Sequence, residues 1–228
     1  LTKVANIGPA KAKTLYSDYG IVTVKDLEKH YSTNPKILND KQAIGLKYHW
    51  DLNKRIPRDE IIQYEKKIIG ICSAISKSMV VSINGSFRRE MPDSGDIDIL
   101  VTGPKNQNKI MRQKLIKIMT NMGLIVEVLA SGNKKFMGIS RLNSETPHRH
   151  IDIIDTDIDE YPFAQLYFTG SGGFNAYMRA LALKEGYSMN EYCISIKKTK
   201  EPVKEAVIQS RIGKSRFESE KDIFAFLN

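Results

Sequence analysis

Gly85-Ser86-Phe87-Arg88-Arg89, followed closely by Gly95-Asp96-Ile97-Asp98-Ile99-Leu100, is the stretch that decides how this chain is read. A Gly-Ser turn and two arginines supply a grip for phosphate, and an Asp-x-Asp set among isoleucines reads as a strand. Side chains alternate along a strand, so Asp96 and Asp98 share one face while Ile97 and Ile99 take the other. Two carboxylates on one face repel each other unless a cation lies between them. Hard oxygen ligands of this kind suit Mg²⁺ or Mn²⁺, and those ions in turn suit a nucleoside triphosphate. His150-Ile151-Asp152-Ile153-Ile154 repeats the alternation far downstream and adds a third carboxylate, Asp152. An isolated Asp-x-Asp is more commonly a solvated strand edge. Joined to the Gly-Ser turn, the arginine pair and the strand around Asp152, it describes a two-metal phosphoryl-transfer site.

Working outward, residues 80–83 lead as a strand into Gly85. Residues 59–76 show helical apolar spacing at Ile61, Ile62, Ile68, Ile69, Cys72 and Ile75, and residues 109–122 give a second amphipathic helix. Residues 125–129, 136–139 and 151–154 supply further strands. Strands and helices alternate irregularly, which predicts an α+β unit with a mixed β-sheet over residues 58–158. Before it, residues 4–13 predict a tight turn opening a helix, with Val4, Ile7, Ala12 and Leu15 packing inward. Asn6 stands where such a turn needs a positive φ. A second helix is predicted over 22–30 and a loop over Ser32-Thr33-Asn34-Pro35. After the central unit, residues 159–228 carry Tyr167-Phe168-Thr169-Gly170-Ser171, then Phe174-Asn175, then a helix with Arg179.

Composition is compatible with this reading. The 228 residues allow one or two domains with a real core, and a formal net charge of +9 suits a polyanionic partner. A merely basic soluble protein would carry the same charge. Cys72 and Cys193 lie in apolar surroundings without metal-ligand spacing, which predicts buried, reduced thiols. No signal peptide and no run of 18 apolar residues is present, so a soluble intracellular protein without a membrane partner is expected. The first residue is Leu rather than Met, as in a fragment or processed product.

Several segments, in order along essentially the whole chain, resemble family X DNA polymerases, nearest the beta-type members. They are residues 1–9, Ile44-Gly45-Leu46-Lys47-Tyr48, Lys54-Arg55-Ile56-Pro57-Arg58, the Gly85 signature, Lys135-Phe136-Met137-Gly138, residues 147–152, residues 167–171 and residues 219–224. The resemblance implies a nucleotidyltransferase palm at 58–158. It implies an α-helical helix-hairpin-helix DNA-binding subdomain before it at 1–57. It implies a small α/β subdomain for the nascent base pair and incoming nucleotide after it at 159–228.

The resemblance also assigns roles. Asp96 and Asp98 would bridge two Mg²⁺ ions, with Mn²⁺ able to substitute, roughly 3.5–4 Å apart. Asp152 would hold the catalytic ion only and accept the proton of the primer 3′-hydroxyl. Ser86, Arg89 and Arg55, with the Ser94-Gly95 backbone, would grip the β- and γ-phosphates of the dNTP. Tyr167 and Phe168 would crowd the sugar and favour deoxynucleotides, with Gly170 also in the dNTP site. Asn175 and Arg179 would touch the minor-groove edges of the new pair, with Tyr192 packing near Arg179. At the hairpin, backbone N–H groups around Gly8, Ala10 and Lys11 would meet a DNA phosphate. The carbonyls of Thr2, Val4 and Ile7 would hold Na⁺ or K⁺ there. His150 would be a further DNA contact.

The implied function is gap-filling, template-directed DNA synthesis in repair, adding dNMP to a primer 3′-hydroxyl with release of pyrophosphate. Implied partners are gapped or nicked double-stranded DNA and a dNTP, with a repair ligase or scaffold protein beside a monomeric enzyme. A nucleus or a viral cytoplasmic factory is the implied compartment. Departures from the family pattern carry expectations of their own. His150 and Ile154 stand where arginines are usual, so a switch that pairs one arginine with a metal-binding aspartate should be altered or missing. Gly172 and Ala176 replace larger residues that stack on the bases, which should loosen the pair and lower fidelity. The family's N-terminal lyase domain has no counterpart in these residues. A terminal transferase would carry Gly-Trp at 167–168 and a long loop before the third aspartate, whereas residues 140–147 are short. An RNA nucleotidyltransferase would not carry both the hairpin and the Tyr-Phe pair. A DNA-binding scaffold could keep the fold without the chemistry.

Overall fold

The computed structural model describes residues 1–228 and begins with a helical body. It comprises α1 (Pro9–Tyr19), α2 (Val24–Thr33), a 3₁₀ turn (Pro35–Ile37), α3 (Asp40–Lys47) and α4 (His49–Leu52). Val4, Ile7, Leu15, Ile21, Leu27, Ile37, Leu38 and Leu46 form its core. Asn6 takes φ 64°, the left-handed turn anticipated for it, and Gly8 caps α1 with Pro9 in its first turn. Reciprocal capping boxes start the next two helices: Thr23 with Asp26, and Asn39 with Gln42. Helix α2 therefore begins at Val24 rather than Val22. It also absorbs Ser32 and Thr33, anticipated as loop, because the first real breaker is the Asn34-Pro35 pair. Gly45 lets α3 lie directly on the hairpin, since a Cβ there would sit 2.1 Å from the Ala5 carbonyl oxygen.

The central body runs β1 (Ile56–Pro57), α5 (Arg58–Ile75), β2 (Val80–Ile83), α6 (Gly85–Arg88), β3 (Asp93–Ser94) and β4 (Ile97–Thr102). Helix α7 (Asn108–Asn121) and strands β5 (Ile125–Ser131), β6 (Lys135–Ser140) and β7 (Arg149–Asp155) complete it. The main sheet has order β2-β4-β7-β6-β5, with β4 and β7 parallel and every other pairing antiparallel. The mixed sheet is thus as anticipated. Alternation turns Ile97, Ile99, Ile151 and Ile153 to one face, where Ile61, Tyr64, Ile68 and Leu115 pack on them. Each such buried side chain stabilises the fold by about 2 kcal/mol relative to exposure. The same alternation leaves Asp98 and Asp152 on the opposite face.

The last body contains α8 (Tyr161–Thr169), α9 (Gly172–Lys184), the hairpin β8 (Tyr187–Met189) and β9 (Ile194–Ile196), α10 (Glu205–Ile212) and α11 (Glu220–Leu227). Phe163, Phe217 and Phe226 stack edge to face in its core with Met178 and Ile223. Helix α8 also caps the carboxylate-bearing face of the sheet farther along, where Leu100, Ile154 and Ala164 form a small buried cluster against Phe168. No helix is long and apolar enough to cross a membrane.

Candidate active site

Parallel pairing of β4 with β7 sets Asp98 directly beside Asp152. Asp96 was anticipated on the same strand but lies one residue before it. Ser94 is already committed to pairing with Ile56, so Gly95 and Asp96 form the bend between two short pairings and Asp96 is exposed. The Gly85 turn closes the site from the other side. Gly85 has φ +60°, and a Cβ there would lie 2.6 Å from Asp98 Oδ2, so two reasons demand glycine.

The carboxyl of Asp98 is pushed up to about 7, chiefly by burial and then by the charges of Asp96 and Asp152, while Lys135 and Arg89 pull it down. Asp152 turns one oxygen to Lys135 Nζ at 2.5 Å. As the side chains stand, the three carboxylates do not converge on one point. Their donor set is nevertheless all oxygen, and the excess negative charge around Asp98 is what a hard divalent cation relieves, so these residues fit Mg²⁺ or Mn²⁺.

A cleft of about 540 Å³ opens beside them. Arg55, Gly85, Ser86, Arg89, Gly95, Asp96 and Asp98 line one wall; Tyr167, Phe168, Gly170 and Asn175 line the other, with Thr169, Ser171 and Gly172. Its size suits a nucleotide-sized ligand. Ser86 donates to the Ser94 hydroxyl at 2.8 Å, which leaves Ser94 buried behind the cleft rather than in its wall. Arg89 reaches across to the Thr169 carbonyl. Arg55 is bound to the Asp93 carboxylate at 2.7 Å at the cleft mouth. Its backbone is anchored by Arg149, which donates to the carbonyls of Lys54 and Arg55 while forming a buried, two-pronged pair with Glu60 at 2.8 and 2.7 Å. The strand that carries Asp152 is thereby tied to the segment that carries Arg55. Tyr167 and Phe168 pack edge to face, and Asn175 donates to the Tyr167 carbonyl at 2.8 Å.

Arg179 lies over the Tyr167 ring at 5.1 Å and 3.8 Å from Glu191. Tyr192, next to Glu191 in the chain, packs under Lys134 Nζ at 4.8 Å. The turn between β8 and β9 brings the Glu191 carboxylate to Arg179. Ile154 is buried among Leu100 and Ala164, so no cation occupies its position. Lys135, Thr169 and Glu191 were missed as site residues. Lys135 belongs to a recognised segment, but only strand register brings it to Asp152.

A second, smaller cleft of about 270 Å³ lies where the hairpin meets the sheet, lined by Thr2, Val4, Asn6, His49, Asn53 and His150. The Val4 carbonyl already accepts from the Ile7 N–H at 3.0 Å, and Ile7 itself is buried. Gly8 and Ala10 are exposed at the start of α1, with Lys11 half-buried beside them. First-turn N–H groups at such a helix start have no intrahelical partner.

Residues 55–157 match the family model of the DNA polymerase beta palm, residues 164–228 that of the DNA polymerase beta thumb, and residues 1–53 that of the fingers domain of DNA polymerase lambda. The chain is 33% identical over 200 residues to DNA polymerase lambda of Rattus norvegicus, covering 84% of this chain and 34% of that protein. It is 30% identical over 200 residues to DNA polymerase lambda of Arabidopsis thaliana, covering 83% and 37%. With the DNA-directed DNA/RNA polymerase mu of Homo sapiens the identity is 22% over 216 residues, covering 81% and 43%. The chain therefore spans well under half the length of each of these relatives.

Proposed function

The chain belongs to family X of the DNA polymerases, and from that premise we propose that it is a template-directed, gap-filling DNA polymerase of repair synthesis. It would add a dNMP to a primer 3′-hydroxyl and release pyrophosphate. The observation that carries this reading is the Asp98–Asp152 pair on adjacent parallel strands. The glycine turn abuts it, and the cleft it faces is lined by Arg55 and Arg89.

Asp96, Asp98 and Asp152 would hold two divalent cations, Mg²⁺ with Mn²⁺ able to substitute. Cations bound there would supply charge that acidifies the 3′-hydroxyl and offsets that of the triphosphate and the departing pyrophosphate. Asp152 takes the hydroxyl proton. Ser86, Arg89 and the Gly95 backbone hold the β- and γ-phosphates, joined by Arg55 once it leaves Asp93. Tyr167 and Phe168 crowd the sugar and so favour deoxynucleotides, while Asn175 and Arg179 align the new pair. On the DNA side, the start of α1 at Gly8, Ala10 and Lys11 receives a phosphate. Carbonyls of Thr2, Val4 and Ile7 would hold Na⁺ or K⁺ there, and His150 adds a contact. The chain's contribution is mostly positioning and fixed charge, as phosphoryl transfer requires. Gapped or nicked duplex DNA and a dNTP are its partners. It works as a monomer, in the nucleus or a viral cytoplasmic factory, beside ligase or scaffold proteins.

The test is single-nucleotide addition on a one-nucleotide gapped duplex with Mg²⁺, comparing four dNTPs, four rNTPs and an Asp152→Ala control. Addition of the complementary dNTP alone, abolished in the control, is the expected result. Addition regardless of template would replace this reading with terminal transfer, although residues 141–148 make only a short link between β6 and β7. No addition despite tight DNA binding would leave a scaffold.

A further inference from the structure

Strands β6 and β7 pair antiparallel with Lys135 opposite Ile154 and Met137 opposite Asp152. Lys135 therefore lies diagonally across from Asp152 on the carboxylate face, within reach of a long side chain. Its ammonium sits 2.5 Å from Asp152 Oδ2. The Asp152 side chain is 15% exposed and that of Lys135 is 43% exposed, so the ammonium enters from the solvent side and can withdraw without opening the core. Lys134, one residue earlier, is occupied elsewhere, with Glu160 at 3.1 Å and the Tyr192 ring. Behind Lys135 lies a cleft of about 250 Å³ walled by Ile154, Ala164, Tyr167 and Phe168, with Glu191 also lining it. That cleft offers a displaced lysine both an apolar wall for its stem and a carboxylate for its charge.

An ammonium and a divalent cation compete for the same carboxylate oxygen. We infer that Lys135 is a built-in counter-ion that holds Asp152 while the site lacks metal and must let go when metal binds, so that this lysine sets the concentration at which the carboxylates load. The inference rests on the metal-holding role proposed above for Asp96, Asp98 and Asp152.

The test is Mn²⁺ binding to the whole chain without DNA or nucleotide, read from the electron paramagnetic resonance signal of unbound Mn²⁺. Lys135→Met keeps the stem and removes the charge; it should tighten Mn²⁺ binding by about fivefold, the scale of a lost exposed ion pair. Lys135→Arg should stay near the parent, and Lys134→Met, which removes an equal charge beyond the contact, should tighten binding much less. Equal effects of Lys135→Met and Lys134→Met, or weaker binding in Lys135→Met, would overturn the counter-ion role while leaving the metal site standing. If Asp98→Asn binds Mn²⁺ as the parent does, the metal site itself is refuted and this inference falls with it.

Discussion

Arg88 and Glu220 form a two-pronged ion pair at 2.8 and 2.5 Å although 132 residues separate them in the chain. Arg88 also donates to the Thr169 hydroxyl at 2.6 Å. One guanidinium in the glycine turn thus clips both the first turn of α11 and the end of α8 to the central body, and Glu220 gains from the positive end of α11. Glu220→Ala should lower the unfolding free energy by about 1–2 kcal/mol, because it strands a half-buried charge. It should also raise KM for the nucleotide more than it lowers kcat, since the wall bearing Thr169 loosens. Urea unfolding with steady-state kinetics checks both; unchanged stability would mean that the apolar core alone docks the last body.

Gly85→Ala should be nearly inert for folding and severe for activity. The added methyl meets Asp98 Oδ2 at 2.6 Å, on a backbone whose φ of +60° already disfavours alanine. Strain of about 1 kcal/mol is tolerable, whereas displacing Asp98 by about 1 Å should cost about a hundredfold in rate. Circular dichroism beside gap-filling rates separates the two; retained activity would show that Asp98 need not sit where it does.

Ile154→Arg should fail to create an active switch. Ile154 is 7% exposed in a cluster with Leu100 and Ala164, against Phe168 and Tyr161. A guanidinium forced there loses the apolar packing on Leu100 and Ala164, and even with Glu191 lining the adjoining cleft it should destabilise the protein by about 2 kcal/mol or more while pushing Phe168 out of place. Thermal unfolding and the ratio of dNTP to rNTP addition report the two effects. A stable variant with unchanged sugar discrimination would contradict this packing.

The contact between Asp51 and His148 predicts an acid-dependent stability. Burial alone would raise the Asp51 carboxyl, but hydrogen bonds from the His148 ring and backbone N–H, with Lys54, reverse that and hold it well below the usual value of 3.8. A carboxyl depressed on folding contributes stability that is present above its unfolded value and lost as the pH falls toward the folded one. Asp51→Asn should therefore be less stable than the parent near neutrality and converge with it as the pH drops below 3.8. Unfolding curves across that range decide it; a constant offset would show that the pair does not titrate with folding.

Much of the central body was legible because its signals are local. Alternating isoleucines around Asp98 and Asp152 declare two buried strands whatever surrounds them, and helix α5 at Arg58–Ile75 falls within a residue of its apolar period. Asn6 could be placed in a left-handed turn because few side chains tolerate one. The boundaries at Val24 and Thr33 were misjudged because a capping box and a proline, rather than apolar spacing, end that helix.

By itself, then, the amino-acid order determined the two strands that carry Asp98 and Asp152, the face those two carboxylates share, and the family to which the chain belongs. Those properties depend on neighbours a few positions away and on residue types few turns can accept. Tertiary structure alone decided the partners of the charges. Strand register brought Lys135 to Asp152, helix docking brought Glu220 to Arg88, and the β8–β9 turn brought Glu191 to Arg179. Charge pairing depends on distances of a few ångströms between segments far apart in sequence, and only the packed core sets those distances.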